Sequence, residues 1–254
     1  RDYIPSPRAN FANVYVNDTL WGLYVNVEAI NDKFTNKHFA TVNSPLVKCN
    51  PLNLNLTPGG ENSNLSNTHG TDSTFYYDYY DLKSSYGWGD LYELIDVLHN
   101  SSSNLDNKLN VDRTLWMHAF NYTLINFDSY VGYGQNYYLY KSLSNQFQPI
   151  LWDLNMSFGG FRLTDATQAF FNGFDINQAQ TMDPLGFSSN NFLSPRPLIS
   201  NILSDPRKQR MYLAHMKTIV EDHFSNQDYF SRAQYLQNLI SNDVQNDPNK
   251  FYSF

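Results

Sequence analysis

The chain has 254 residues, of which 41% are hydrophobic and 16% aromatic, so it can bury a large interior and is not mainly disordered. Its net charge of −7 excludes a general nucleic-acid polymer binder, which needs a basic face, but leaves room for a local basic pocket. Cys49 is the single cysteine, which excludes a disulfide framework and a cysteine metal cluster, and no apolar run is long enough for a membrane-spanning helix.

In chain order, residues 11–28 read as a β-hairpin, with Val14 and Val16 on one strand, Asn17-Asp18 as the turn, and Leu23, Val25 and Val27 returning. A short helix follows in "NDKFTNKHF", capped by Asn31 or Asp32, and then a short apolar strand, "PLVKCN", that carries Lys48. Residues 50–73 are rich in turn formers and read as a long loop with little regular structure. "TFYYDYYDLK" reads as a strand or an irregular segment. "GDLYELIDVLHN" has Leu91, Leu94, Ile95 and Leu98 on one helical face.

"NVDRTLWMHAFNYTLINFD" predicts a more buried helix that starts at an Asp112 cap and runs to Asp128. His118 on that helix is read as a core histidine with its hydrogen bond satisfied. Two strands, "NYYLYKS" and "FQPILWDL", form a hairpin about "LSNQ". Residues 159–193 read as loop. Helices are expected in "RPLISNILS", in "DPRKQRMYLAHMKTIVEDHF" with Pro206 in its first turn, and over 228–244. There is no internal repeat. The pattern is α+β, strand-rich in the first third and helix-rich afterwards.

Three oxygen-bearing side chains are expected to converge. Asp128 ends the central helix pattern, Asn136 opens the first strand of the second hairpin, and Asp153 closes the other strand. An antiparallel pair brings its two turn-distal ends together, so Asn136 and Asp153 should be neighbours, with Asp128 just ahead of them. Hard cations such as Mg²⁺ take carboxylate and amide oxygens, and a further aspartate could orient a hydroxyl and accept its proton. Protein kinases use Asp, Asn and Asp in this chain order, although Asn136 follows Asp128 by a wider gap than the usual kinase loop has. Lys48 in an apolar strand and Glu28 at a strand end could supply a phosphate-binding lysine and its ion partner. No kinase-type glycine-rich loop is present.

Several stretches together resemble the CotH-type atypical protein kinases, a family named for a bacterial spore-coat protein. They are "VYVNDTLWGLYVNVEAINDKF", "PLVKCN", "YYDLK", "VDRTLWMHAFNYTLINFDSY", "NYYLYKS", "FQPILWDLNMSFGG" and "RPLISNILSDPRKQRMYLAHMKTIV", in family order over nearly the whole chain. The resemblance implies a divergent protein-kinase-like fold, with a strand-rich lobe over about 1–85 and a helix-rich lobe over 86–254 of one domain, read as a piece of a longer chain. It implies ATP with Mg²⁺ or Mn²⁺ as cofactors and transfer to serine or threonine of a protein substrate. By position it makes Asp128 the catalytic aspartate, Asp153 and Asn136 the metal ligands, and Lys48 and Glu28 the nucleotide-binding pair. Asn155 stands where many members carry a second carboxylate, so the alternative is a catalytically weak module acting in surface adhesion or assembly. A carbohydrate-active enzyme rests only on aromatics and carboxylates. The Asn-, Ser- and Tyr-rich composition and the start at Arg1 fit an exported, cell-surface protein. The expected state is a monomer.

Overall fold

Asn17 and Asp18 adopt left-handed backbone angles, with φ of 49° and 62°. That is the turn geometry that suits the twist of a two-residue hairpin, and Asn and Asp tolerate it. The hairpin joins β1 (Ala9–Val16) to β2 (Thr19–Val27), with a bulge between Val14 and Tyr15. The computed structural model describes residues 3–55, 60–160, 176–186, 196–251 and 253.

α1 (Asp32–Phe39) begins at Asn31, whose side chain accepts from the amides of Lys33 and Phe34. It leads into β3 (Leu46–Cys49), the strand expected around Lys48. "TFYYDYYDLK" becomes a single 3₁₀ turn at Ser73–Phe75 and a two-residue strand, β4 (Asp81–Leu82). β5 (Tyr137–Lys141) and β6 (Phe147–Leu151) complete an antiparallel sheet in the order β4-β3-β5-β6. This sheet takes strands from both sides of residue 85.

Strand alternation gives the sheet two buried faces. Val47, Cys49, Tyr137, Leu139, Phe147 and Leu151 join the main core. That core also holds α2 (Trp88–Asn100), through Leu91, Leu94, Ile95 and Leu98, as the helical spacing predicts. Leu46, Tyr138, Tyr140 and Ile150 face the other way and pack on Phe34 of α1.

α3 (Val111–Thr123) crosses the main core and packs on α7 (Pro206–Ile219). Its cap is Asn110, whose side chain accepts from the Arg113 amide at 3.0 Å, and not Asp112. Asp112 lies in the first turn, where its carboxylate meets the favourable N-terminal dipole and His215 at 2.8 Å. The helix also stops at Thr123, earlier than expected, so Asp128 lies in the connection that follows it. A one-turn helix, α4 (Tyr130–Tyr133), fills the glycine-bearing stretch before β5.

α5 (Ile176–Thr181) falls within the segment read as loop, whose parts 161–175 and 187–193 lie outside the described residues. The "RPLISNILS" helix shortens to α6 (Pro197–Ser200). α7 has Pro206 in its first turn and Asp205 as its cap, and runs into a π-helical turn at Val220–Ser225. α8 (Asp228–Asn246) is the last helix. The architecture is α+β, and no helix among the described residues is long and apolar enough to cross a membrane.

Candidate active site

Register explains how the three expected residues meet. Tyr137 pairs with Leu151, so Asn136 and Asp153 lie just past the same edge of the β5–β6 pair. Both adopt left-handed backbone, φ 58° and 55°, so the chain leaves the sheet sharply at each position. Asn136 then turns back on the Asp128 segment, and its Nδ2 donates to the Asp128 carbonyl at 2.7 Å. A carbonyl oxygen only accepts, so this bond fixes which end of the amide is which. The Asn136 Oδ1 is left to face any electropositive group.

Asp153 is tied to the same region from the other side. Asn126 is fully buried, and its Nδ2 donates both to the Asp153 carbonyl and to Asn121 Oδ1, each at 3.1 Å. The stretch after Asp153 returns along the end of α3, where the Phe158 and Gly159 amides donate to the carbonyls of Leu124 and Ile125. The two aspartates are therefore near neighbours. Burial pushes the Asp128 carboxyl above its usual pKa; the charge of Asp153 adds to that rise, while the amides of Gln135 and Asn136 pull it back.

The loop carrying Asp128 is fixed from several directions. Gln135 donates through Nε2 to Asp128 Oδ1. Arg196, buried at the start of α6, donates from Nη2 to the Gly132 carbonyl at 2.5 Å. The Tyr130 hydroxyl donates to the Asn64 carbonyl at 3.0 Å and accepts from the Leu198 amide at 2.9 Å. Asn64 belongs to the stretch read as loop. Its described residues 60–72 form no helix or strand, yet Asn62 to Ser66 are all buried. Tyrosine hydroxyls satisfy its backbone: Tyr80 accepts from the Leu65 amide, and Tyr137 donates to the Ser63 carbonyl. Arg196, Gln135 and the 62–66 segment were missed by sequence reasoning: tertiary packing alone brings Arg196 and the 62–66 segment to the loop around Asp128, and Gln135 reaches Asp128 through the left-handed backbone at Gly134 and Asn136.

Lys48 lies on the sheet face shared with Tyr138 and Ile150, and Tyr138 meets the ring of Trp152, the residue before Asp153, edge to face at 5.4 Å. Lys48 is half-buried, and its ammonium has no ion pair or side-chain hydrogen bond among the described residues. Glu28 does not hold it. Glu28 pairs instead with Lys37 at 3.2 Å and accepts from the Arg8 amide at 3.0 Å, because α1 folds back beside the hairpin. The expected Lys48–Glu28 pair is therefore corrected, and Glu28 is placed in a local contact of the hairpin base. Asn155 is exposed on the turn after Asp153. His118 sits in the core as expected, its Nε2 bonded to the Leu198 carbonyl at 3.2 Å and its pKa lowered to about 4 by burial, but its buried Nδ1 has no hydrogen-bond partner among the described residues.

One carboxylate and one amide oxygen, from Asp153 and Asn136, match what Mg²⁺ or Mn²⁺ asks of a protein that leaves the rest of the shell to phosphate and water. Among the described residues no cluster of three or more His, Cys, Asp or Glu offers a site for a more fully protein-bound metal. Residues 3–254 match the model of a family described as CotH kinase protein. No curated protein matches the chain.

Proposed function

The chain belongs to the CotH kinase protein family, and from that membership together with the site geometry we propose that it transfers the γ-phosphoryl group of ATP to a serine or threonine hydroxyl of a protein. The observation that carries this reading is the convergence of Asp128, Asn136 and Asp153 at one sheet edge, with the Asn136 amide oriented to present Oδ1. We read residues 3–254 as one domain that works as a monomer at the cell surface, outside the cytoplasm.

Asp153 and Asn136 Oδ1 would hold the divalent cation, which when bound screens the phosphate charge. Lys48 is suited to steady the phosphates from the neighbouring sheet face. Glu28 has no part in this assignment. Asp128 accepts the proton of the acceptor hydroxyl as that oxygen attacks the γ-phosphorus. The bond to the bridging oxygen breaks, and ADP leaves with the electron pair. A carboxylate whose pKa is raised by burial is a better proton acceptor than one in water, so the environment of Asp128 suits this role. Catalysis would come from positioning and charge neutralisation.

Intact-mass measurement of a generic acceptor protein, after incubation with ATP and Mg²⁺ or Mn²⁺, tests the reading. The wild type should add phosphate-sized mass to the acceptor. Asp128→Asn should add none while still binding nucleotide, and Asp153→Ala should also lose metal-dependent nucleotide binding. Equal transfer by all three proteins would refute the assignment. A protein indifferent to ATP and either metal would instead be a non-catalytic surface module, the reading that the exposed Asn155 in place of a carboxylate favours.

A further inference from the structure

The outer edge of β1 is open. In an antiparallel pair, successive residues alternate between bonding to the partner strand and directing their amide and carbonyl outward. Arg8 and Glu28 bond, through the Glu28 amide and the Arg8 carbonyl, whereas the Leu23 amide donates away from the ladder to Asp247 at 3.0 Å. Leu23 faces Asn13, so the outward set on β1 is Ala9, Phe11 and Asn13. Their main-chain groups have no partner among the described residues. The outer edge of β2 is closed at the same level, where Asp247 takes the Leu23 amide and Asn249 donates to the Trp21 carbonyl. α8 stands opposite the open edge, and none of its 19 residues is buried. Tyr229, Arg232, Leu236, Ile240 and Asp243 recur at helical spacing and line a groove of about 940 Å³. β1 lines it with five successive residues, 9–13, whereas β2 lends only Leu23 and Val25, so the groove wraps the β1 edge. Asn13 Nδ2 donates to Asp243 at 2.7 Å and closes one end. Leu154, next to Asp153, lines the groove as well, and Phe158 after it meets the Tyr229 ring at 5.3 Å. The Tyr229 end therefore lies beside the Asp153 turn.

We propose that this groove binds an extended segment of the protein acceptor as a third strand on β1, its leading end carried past Leu154 toward Asp128. The proposal rests on the phosphoryl-transfer reading. An added strand satisfies the outward groups of Ala9, Phe11 and Asn13 and lays alternate side chains on the apolar stripe of α8. From Tyr229 to Asp243 that stripe is about 21 Å long at 1.5 Å per residue, the span of about six extended residues. A purine base would cover a fraction of it and leave the strand edge unbonded. The charged lining residues Arg232 and Asp243 offset each other, so the segment that fits is apolar and uncharged around its serine or threonine.

The test uses dephosphorylated casein, an unfolded protein bearing serine and threonine. First, amide exchange with solvent is read residue by residue by NMR, without nucleotide, as casein is added to saturation. Exchange at Ala9, Phe11 and Asn13 should slow by about tenfold or more, while Asn10 and Ala12, already in the ladder, should not change. Second, transfer kinetics are compared in two variants. Ala9→Pro deletes one outward donor and spares the β1–β2 ladder, and should raise KM for casein roughly 5- to 10-fold. Leu239→Asp puts a charge on the α8 wall at a residue 60% exposed, where the fold tolerates it, and should raise that KM by about tenfold or more. KM for ATP should stay within about twofold in both. Transfer to casein without protection of the three outward amides would overturn the proposal, as would an unchanged KM for casein in both variants. Protection of the same amides by ATP alone would make the groove a nucleotide pocket and overturn it too. Protection by casein without transfer under either metal would keep the groove as a polypeptide site and refute the phosphoryl-transfer reading beneath it; neither protection nor transfer would refute both.

Discussion

Gly132 offers the sharpest test of how the Asp128 loop is built. A Cβ at this position would lie 1.9 Å from the Phe127 carbonyl oxygen and 2.8 Å from its carbon. The obstacle is backbone, which cannot swing aside as a side chain can. Real Cβ atoms essentially never come within 3.0 Å of another atom, so in Gly132→Ala the turn of α4 and the Phe127 peptide must part by about 1 Å. Asp128 is the next residue after Phe127, so the displacement falls on it. Overpacking of this kind costs about 1–3 kcal/mol. For a chain of this length that corresponds to a melting temperature lower by roughly 2–12 °C. A shift of that size at a reacting group lowers turnover about 100-fold. Thermal melts and transfer kinetics of the purified variant measure both effects. A variant that melts with the wild type and turns over at the wild-type rate would show that α4 does not press on Phe127 as described.

Asp128→Asn should melt higher than the wild type at neutral pH. With the folded pKa raised above the unfolded value of 3.8, the native state holds more protons between the two pKa values, so the wild type loses stability as pH rises through that window and does not regain it above. The advantage of the variant should vanish below about pH 3, and melts from pH 3 to 8 would show the reverse order if the burial argument is wrong. His118 acts at a different pH: its pKa falls from 6.5 to about 4 on folding, so the unfolded chain binds the extra proton and stability drops as pH falls through that interval. The loss is about 3 kcal/mol, and His118→Gln, which keeps a donor for the Leu198 carbonyl, should flatten it in denaturant titrations at pH 7 and pH 4. Asn110→Ala should lose about 1 kcal/mol through its missing cap, with Asp112→Ala losing less than half as much; the opposite ranking in denaturant melts would return the cap to Asp112.

Much of this arrangement was legible in the sequence because it follows from local rules. The Asn17-Asp18 turn, the apolar stripe of α2 and the two aromatic strands each carry their signal within a few residues. The Asn136–Asp153 pairing was legible for the same reason, since a hairpin register propagates to both strand ends. The misses share a physical cause. Both Asn110 and Asp112 can cap a helix, and packing of Leu109 and Val111 into the main core decides between them. Glu28 has two lysines within possible reach, and the fold of α1 selects Lys37. The 62–66 segment has the composition of an exposed loop, and only tyrosines from distant elements make its burial possible. Arg196 is 64 residues from the Gly132 carbonyl it braces, and no pattern in the sequence links them.

The site also breaks local preference in a consistent way. Ile125, Asn136 and Asp153 all have left-handed backbone, and a β-branched residue such as Ile125 rarely adopts it. Each costs about 1–2 kcal/mol relative to right-handed backbone, less where a short polar side chain bonds locally. The stretch around Ile125 is held by the bonds from its own amide to the Tyr122 carbonyl and from Gly159 to its carbonyl. These reversals place two acidic side chains beside each other, and among the described residues neither aspartate has an ion-pair partner. A fold optimised only for stability gains nothing from strained backbone spent on bringing like charges together. The arrangement makes physical sense when a cation from solution completes it, and that supports reading the strain as part of the site and not as an accident of packing.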